Sequence, residues 1–237
     1  YGPLPWRTIM RPGADNLVKR FGALTVLNGI TTEFFPASVT AIVGPNGSGK
    51  STFMKCALSL VTPTSGRVYG FDRSRAGSMA QTGRYPDNLT PRDIFALVQS
   101  IRRTPAPYKD TLIETFDLGS HLTKSMRTLS GGTRQKVGAV LALMDDVDIL
   151  LLDEPTAGLD PVAASRLKDI VAERRLQGAT VLVTSHILSD LQELADRLLF
   201  LLDGKIVHDG SIDAVLSTTG QSTLERAVAT IMTRSTS

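Results

Sequence analysis

Eight consecutive residues, Gly44-Pro45-Asn46-Gly47-Ser48-Gly49-Lys50-Ser51, fill the pattern Gly-x4-Gly-Lys-Ser/Thr at every fixed position. Glycines at this density let a backbone wrap closely round an anion, with successive N–H groups turned inward. A helix opening near Lys50 adds the positive end of its dipole. Asn46, Gly47, Ser48, Gly49, Lys50, Ser51 and Thr52 are therefore candidate phosphate-binding residues. Lys50 is expected to reach the β- and γ-phosphates of a nucleoside triphosphate, and the Ser51 hydroxyl to coordinate Mg2+. By itself the motif says only that the chain binds such a nucleotide.

A second cluster lies at Asp153-Glu154, where the apolar run Ile149-Leu150-Leu151-Leu152 ends in two carboxylates. The carboxyl end of a buried strand is where open α/β sheets bind ligands. Beside a phosphate loop, Asp153 is placed to hold Mg2+ and Glu154 to polarise an attacking water. His186, in Thr184-Ser185-His186, follows another apolar run. A neutral imidazole there could hydrogen-bond the terminal phosphate or the water, although a lone histidine after a strand is more often structural.

The elements that must position these groups alternate between strand and helix patterns, which predicts an α/β architecture. Residues 39–43, 149–152 and 180–184 read as buried strands, and Lys50–Leu60 as a helix stopped by Thr62-Pro63. Ile187–Arg197 reads as a second helix. Leu198–Leu202, Asp203-Gly204 and Lys205–Val207 read as a hairpin with an Asp-Gly turn. Between about Tyr85 and Met144 the strand signals vanish, which predicts an inserted helical subdomain over 85–144. The core is expected over 14–237, ending in a short helical tail at about 221–237. Residues 1–13, with Pro3, Pro5 and Pro12, read as a flexible leader in which Met10 is a candidate native start.

Composition narrows the function classes. Twenty-six basic residues interspersed with 23 acidic ones give a formal charge of only +3 over 237 residues. That balance fits a mixed surface and not a nucleic-acid-binding stripe. No apolar run approaches the roughly 20 residues a membrane-spanning helix needs, so any membrane role is expected to come through a partner. Cys56 is alone, which excludes an intrachain disulfide framework and fits a reducing compartment. His121, His186 and His208 show no ligand spacing with it.

Leu129-Ser130-Gly131-Gly132-Thr133-Arg134-Gln135 adds the string that gives a family likeness. With the phosphate loop, Asp153-Glu154-Pro155-Thr156 and His186 in that order, the chain resembles the ABC ATPases over about residues 14–216. The resemblance implies a P-loop ATPase domain with a mixed sheet and an inserted helical subdomain. It implies that ATP and Mg2+ are bound, and that two chains pack head to tail with two nucleotides between them. Ser130, Gly131 and Gly132 then serve the nucleotide on the partner's phosphate loop, and Asp160 lies in the loop crossing the interface. Phe21, in Lys19-Arg20-Phe21-Gly22, matches the aromatic that stacks on adenine. Gln81 matches the glutamine that contacts Mg2+ and couples to the permease, with Asp87 as the rival position. The implied partner is an integral membrane permease on separate chains, which places this chain peripherally on the cytoplasmic face of the plasma membrane.

Residues 81–88, 129–136, 153–163 and 223–227 resemble one branch more narrowly, the ATPases of nitrous oxide reductase maturation transporters. That branch implies a permease and a periplasmic protein supplying sulfur or copper to the enzyme's copper sites. The Asp153–Pro161 string and the terminal Leu224-Glu225-Arg226-Ala227 lean towards exporter-type systems. Two rival readings remain at this point: a non-transport ABC ATPase of DNA repair or translation type, and a regulatory nucleotide-binding module without hydrolysis. The former usually carries coiled-coil insertions or two ATPase domains, and the latter has no use for Glu154 and His186.

Overall fold

The apolar runs become the centre of a six-stranded sheet in the computed structural model, which describes residues 11–81 and 83–235. The strands lie in the order β5 (Ala76–Met79), β6 (Ile149–Asp153), β7 (Thr180–Thr184), β3 (Ser38–Val43), β8 (Arg197–Leu202) and β9 (Lys205–Ser211). The first five run parallel, and β9 pairs antiparallel with β8. This is the mixed sheet that the resemblance implied. Val39, Leu150 and Val181 enter one core, while Ile42, Leu151 and Leu182 enter the other. Both faces are covered, which is why these strands read as continuous apolar runs with no alternation. The carboxyl ends of β3, β6 and β7 open side by side.

A second sheet was not visible in the sequence. β1 (Gly13–Phe21), β2 (Leu24–Glu33) and β4 (Ser65–Tyr69) pair antiparallel in the order β2-β1-β4. The β1–β2 register shifts three times, at Ala14/Leu17, Leu17/Val18 and Lys19/Arg20. Each shift inserts a residue and breaks the alternation by which a half-buried strand is recognised. Between the two sheets lies α1 (Lys50–Ala57), which buries Phe53, Met54 and Cys56 against Leu17, Leu27, Ile30 and Phe34. It stops short of the expected Leu60. Ser59 turns left-handed at φ 54°, one turn before Thr62-Pro63.

Between Tyr85 and Met144 the described chain is helical: α2 (Pro91–Arg102), α3 (Lys109–Thr115) and α4 (Gly131–Leu143), with short 3-10 turns between α3 and α4. Thr90 and Asp93 form a capping box at the start of α2. After β6 come α5 (Pro161–Leu176) and, after β7, α6 (Leu188–Leu194). The expected helix from Ile187 to Arg197 is thus cut short. Asp196 exchanges hydrogen bonds with Val39, and Arg197 enters β8 beside β3, so strand pairing overrides the local helical pattern. The Asp203-Gly204 hairpin is present, both residues having positive φ (47° and 74°), as a tight primed turn requires.

α7 (Ile212–Thr219), capped by Ser211, was not foreseen. α8 (Leu224–Ser235) extends the terminal helix read from residues 222–227. Of the expected leader, residues 1–10 and with them Met10 lie outside the described residues. Pro12 and Gly13 are buried; Gly13 opens β1, and the Pro12 carbonyl accepts from the Phe34 N–H at 2.7 Å, so neither is a free leader. Among the described residues no helix is long and apolar enough to cross a membrane.

Candidate active site

The phosphate loop runs from the end of β3 into α1, and close packing dictates its glycines. A Cβ on Gly44 would sit 2.1 Å from the Leu201 carbonyl oxygen. Gly49 has φ 107°, and a Cβ there would meet Leu27 at 2.7 Å. Only glycine fits either place. Lys50 folds back over the loop, its Nζ donating to the carbonyls of Gly44 (2.7 Å) and Pro45 (3.1 Å). Burial pulls the Lys50 ammonium below its ordinary pKa, while Glu154 and Asp153 push it up. An anion arriving here would meet a partly desolvated cation and the first turn of α1, which holds no acidic residue.

These groups line a cavity of about 480 Å³. Asn46, Gly47, Gly49, Lys50, Ser51 and Thr52 form its loop side. Gln81, Glu154 and His186 form the wall from the sheet edge, and Leu24 and Val26 close the outer end. Ser48 is buried beneath the loop. Gln81, two residues beyond β5, is thus in the cavity wall. Its rival Asp87 lines a different hollow with Tyr85, Met126 and Arg134. Phe21 does not line the cavity. It sits half-exposed at the β1–β2 turn, with Lys19 Nζ 4.8 Å from its ring centre.

At the sheet edge Glu154 is 8% exposed and left-handed at φ 53°. For a non-glycine residue that backbone costs about 1–2 kcal/mol. Its N–H donates to both the carbonyl (3.1 Å) and the hydroxyl (3.0 Å) of Thr184. Its carbonyl accepts from Gln135 Nε2 at 3.2 Å. The Thr184 hydroxyl in turn donates to Asp153 Oδ1 at 2.5 Å. His186 Nε2 lies 2.7 Å from Glu154 Oε1. Burial raises the Glu154 carboxyl above its usual range, against the opposing pull of His186. A buried carboxylate of raised basicity, oriented by an imidazole and facing the phosphate-loop cavity, can accept a proton from water.

The donor set suits magnesium accompanying a nucleotide. The Ser51 hydroxyl, Gln81 amide oxygen and Asp153 carboxylate are hard oxygen donors. Among the described residues no group of three or more His, Cys, Asp or Glu forms a cage. Mg2+ is usually held by phosphates, waters and one or two protein oxygens. A structural zinc or copper site would need the nitrogen and sulfur ligands that are lacking among those residues.

The remaining expected residues lie elsewhere. Ser130 caps α4, its hydroxyl accepting from the Thr133 N–H at 3.1 Å, and Ser130 and Gly131 are exposed. Gly132 is pressed against the loop before α5, where a Cβ would come 2.7 Å from the Gly158 carbonyl oxygen. Asp160 caps α5 and pairs with Lys136 Nζ at 2.8 Å. Ser130, Gly131, Gly132 and Asp160 all lie outside the phosphate-loop cavity of their own chain. Sequence reasoning missed Leu24, Val26, Gln135 and Thr184. Gln135 and Thr184 stood inside motifs already singled out, but their bonds to Glu154 depend on strand and helix neighbours far away in sequence.

Comparison with known proteins shows the family. The family described as ABC transporter matches residues 27–157. The lantibiotic transport ATP-binding protein SrtF of Streptococcus pyogenes is 34% identical, over 83% of this chain and 91% of that protein. The glutamate/aspartate import ATP-binding protein GltL of Escherichia coli (strain K12) is 32% identical, over 84% of this chain and 90% of that protein. Among solved structures, an ATP-binding subunit of an ABC transporter superposes with a TM-score of 0.87 at 25% identity, covering 94% of this chain and 100% of that one.

Proposed function

The chain belongs to the ABC transporter family as an ATP-binding subunit and ATPase, and from that premise we propose that two copies close over two MgATP, hydrolyse them and so drive a separate membrane permease. The observation that carries this is Glu154: buried, hydrogen-bonded to His186 and facing the same cavity as Lys50 and Ser51. ATP enters with its phosphates wrapped by Asn46–Thr52, and Lys50 exchanges its carbonyl partners for the β- and γ-phosphates. Bound magnesium supplies charge neutralisation on those phosphates, with Ser51, Asp153 and Gln81 the residues that would hold it. Glu154 polarises the water that attacks the γ-phosphorus, and His186 orients Glu154 and meets the terminal phosphate. Adenine lies towards Phe21, Leu24 and Val26.

Completion comes from the second copy. Ser130, Gly131 and Gly132, with Asp160 beside them, present an open helix tip that fits a γ-phosphate held by another chain. The permease seats between the α/β core and the helical segment, where Leu58, Leu60 and Ile101 lie beside Arg73 and Arg102. On this reading the chain sits peripherally on the cytoplasmic membrane face. SrtF is named for lantibiotic transport and GltL for import, so direction rests on the exporter-type strings at 153–161 and 224–227.

Supply of copper or sulfur for nitrous oxide reductase maturation, with a periplasmic partner, is supported only by the branch-like strings. Deleting the gene should leave that reductase without its copper sites; a fully loaded enzyme removes this cargo. For the ATPase itself the test is Glu154→Gln. ATP binding should persist and dimers accumulate while turnover falls about 100-fold or more. Retained turnover would take Glu154 out of the reaction.

A further inference from the structure

Glu154 faces its cavity from a backbone conformation that a residue with a side chain rarely adopts, and both ends of its peptide environment are held. On the carbonyl side the hold is Gln135, on α4. On the N–H side it is Thr184, the last residue of β7, which is fully buried. The Thr184 hydroxyl does two things at once. It accepts from the Glu154 N–H at 3.0 Å and donates its own proton to Asp153 Oδ1 at 2.5 Å. A hydroxyl has one proton to give and two lone pairs to accept with, so these two bonds fix its rotor and the direction of both neighbours. Two residues on, the same chain delivers His186 to the Glu154 carboxylate at 2.7 Å. A turn in which the Ser185 hydroxyl accepts from the Ile187 N–H at 3.0 Å presents that imidazole. Asp153, Glu154, Thr184 and His186 therefore close a ring across the ends of two paired strands.

We infer that Thr184 is a positioning residue for hydrolysis: its hydroxyl sets the aim of the Glu154 carboxylate and of Asp153 from behind, without touching nucleotide. This rests on the reading of Glu154 as the group that polarises water. The side-chain requirement is narrow. Serine keeps the hydroxyl. Valine keeps the β-branched shape and the strand while removing both bonds, and the Glu154 N–H then retains only the Thr184 backbone carbonyl. A shift of about 1 Å in a reacting group can cost on the order of 100-fold in rate.

The test compares Thr184→Val and Thr184→Ser in the full chain with wild type. Steady-state hydrolysis, affinity for a fluorescent ATP analogue and the crystal structure of each variant are measured. The Val variant should lose about tenfold or more in kcat with KM and analogue affinity little changed. In its crystal structure the Glu154 carboxylate should have left His186, and the Ser variant should restore both rate and geometry. Unchanged kcat in the Val variant, or a Glu154 still at hydrogen-bond distance from His186, overturns the inference. Equal loss of rate and affinity in both variants also overturns it, by showing a purely structural role. If wild type proves to have no turnover, the hydrolytic reading fails on its own, while the position of Glu154 in the variant crystals still decides what Thr184 holds.

Discussion

The N-termini of α1 and α4 are built from similar residues and left in opposite conditions. Both tips carry serine and glycine, since α1 follows the glycine-rich loop 44–49 and Ser130 caps α4 ahead of Gly131-Gly132, and neither helix has an acidic residue in its first turn. The other helices, α5 excepted, carry one there: Asp93 in α2, Asp110 in α3, Asp190 in α6, Asp213 in α7 and Glu225 in α8. Such carboxylates neutralise the positive end of a helix, so a tip without one stays attractive to an anion. Around α1 the rest of a site is present in the same chain: Lys50 covers the loop, and Glu154, His186 and Gln81 face it. Around α4 the tip is exposed and its cap bond is internal. In the head-to-tail arrangement proposed above, the α4 tip of one copy pairs with the α1 cavity of another, and each region supplies what the other is without.

The most severe way to break that pairing is to disable each region in a separate chain. Lys50→Ala should reduce ATP binding and turnover about 100-fold or more. Ser130→Arg should leave ATP binding by the isolated chain nearly unchanged while abolishing turnover to a similar degree. Mixing the two inactive proteins should restore up to about a quarter of wild-type activity, since half of random dimers are mixed and each has one intact site. A mixture as inactive as its parts would refute the division of labour.

A gentler change sharpens the same contrast. In Gly132→Ala the new methyl would press on the Gly158 carbonyl and push the α4 tip away from the Asp160 loop. Turnover should fall about tenfold, with binding retained, as a small misplacement of a transition-state donor predicts. Phe21→Ala should have the smallest effect, roughly a fivefold weaker affinity for ATP in equilibrium titration, near the low end of what stacking on a base contributes. No change in affinity would leave Leu24 and Val26 as the whole adenine wall.

How much of this could be read from the chain depended on where each interaction reaches. The phosphate loop, the acidic strand end and the Asp-Gly hairpin were legible because their geometry is set by neighbours in sequence. The β1-β2-β4 sheet was not, since bulges at Ala14/Leu17, Leu17/Val18 and Lys19/Arg20 destroy its alternation. The helix expected to reach Arg197 was over-extended for a related reason. Asp196 and Arg197 have strand partners on β3 that no local pattern reveals. Within the site, the difference in position between Gln81 and Asp87 shows only in the tertiary structure, where β5 pairs with β6 and residue 81 reaches the cavity wall.

Sequence alone determined the chemistry available to this protein: glycines that admit a phosphate, a lysine and a serine at fixed spacing, and carboxylates closing an apolar strand. Those are consequences of residue type and short-range order. Tertiary structure decided how the groups are aimed. Glu154 is held left-handed between Thr184, 30 residues away in the chain, and Gln135, 19 residues away. Such bonds exist only when β6, β7 and α4 have packed together, because direction in space is a property of neighbours brought together by folding.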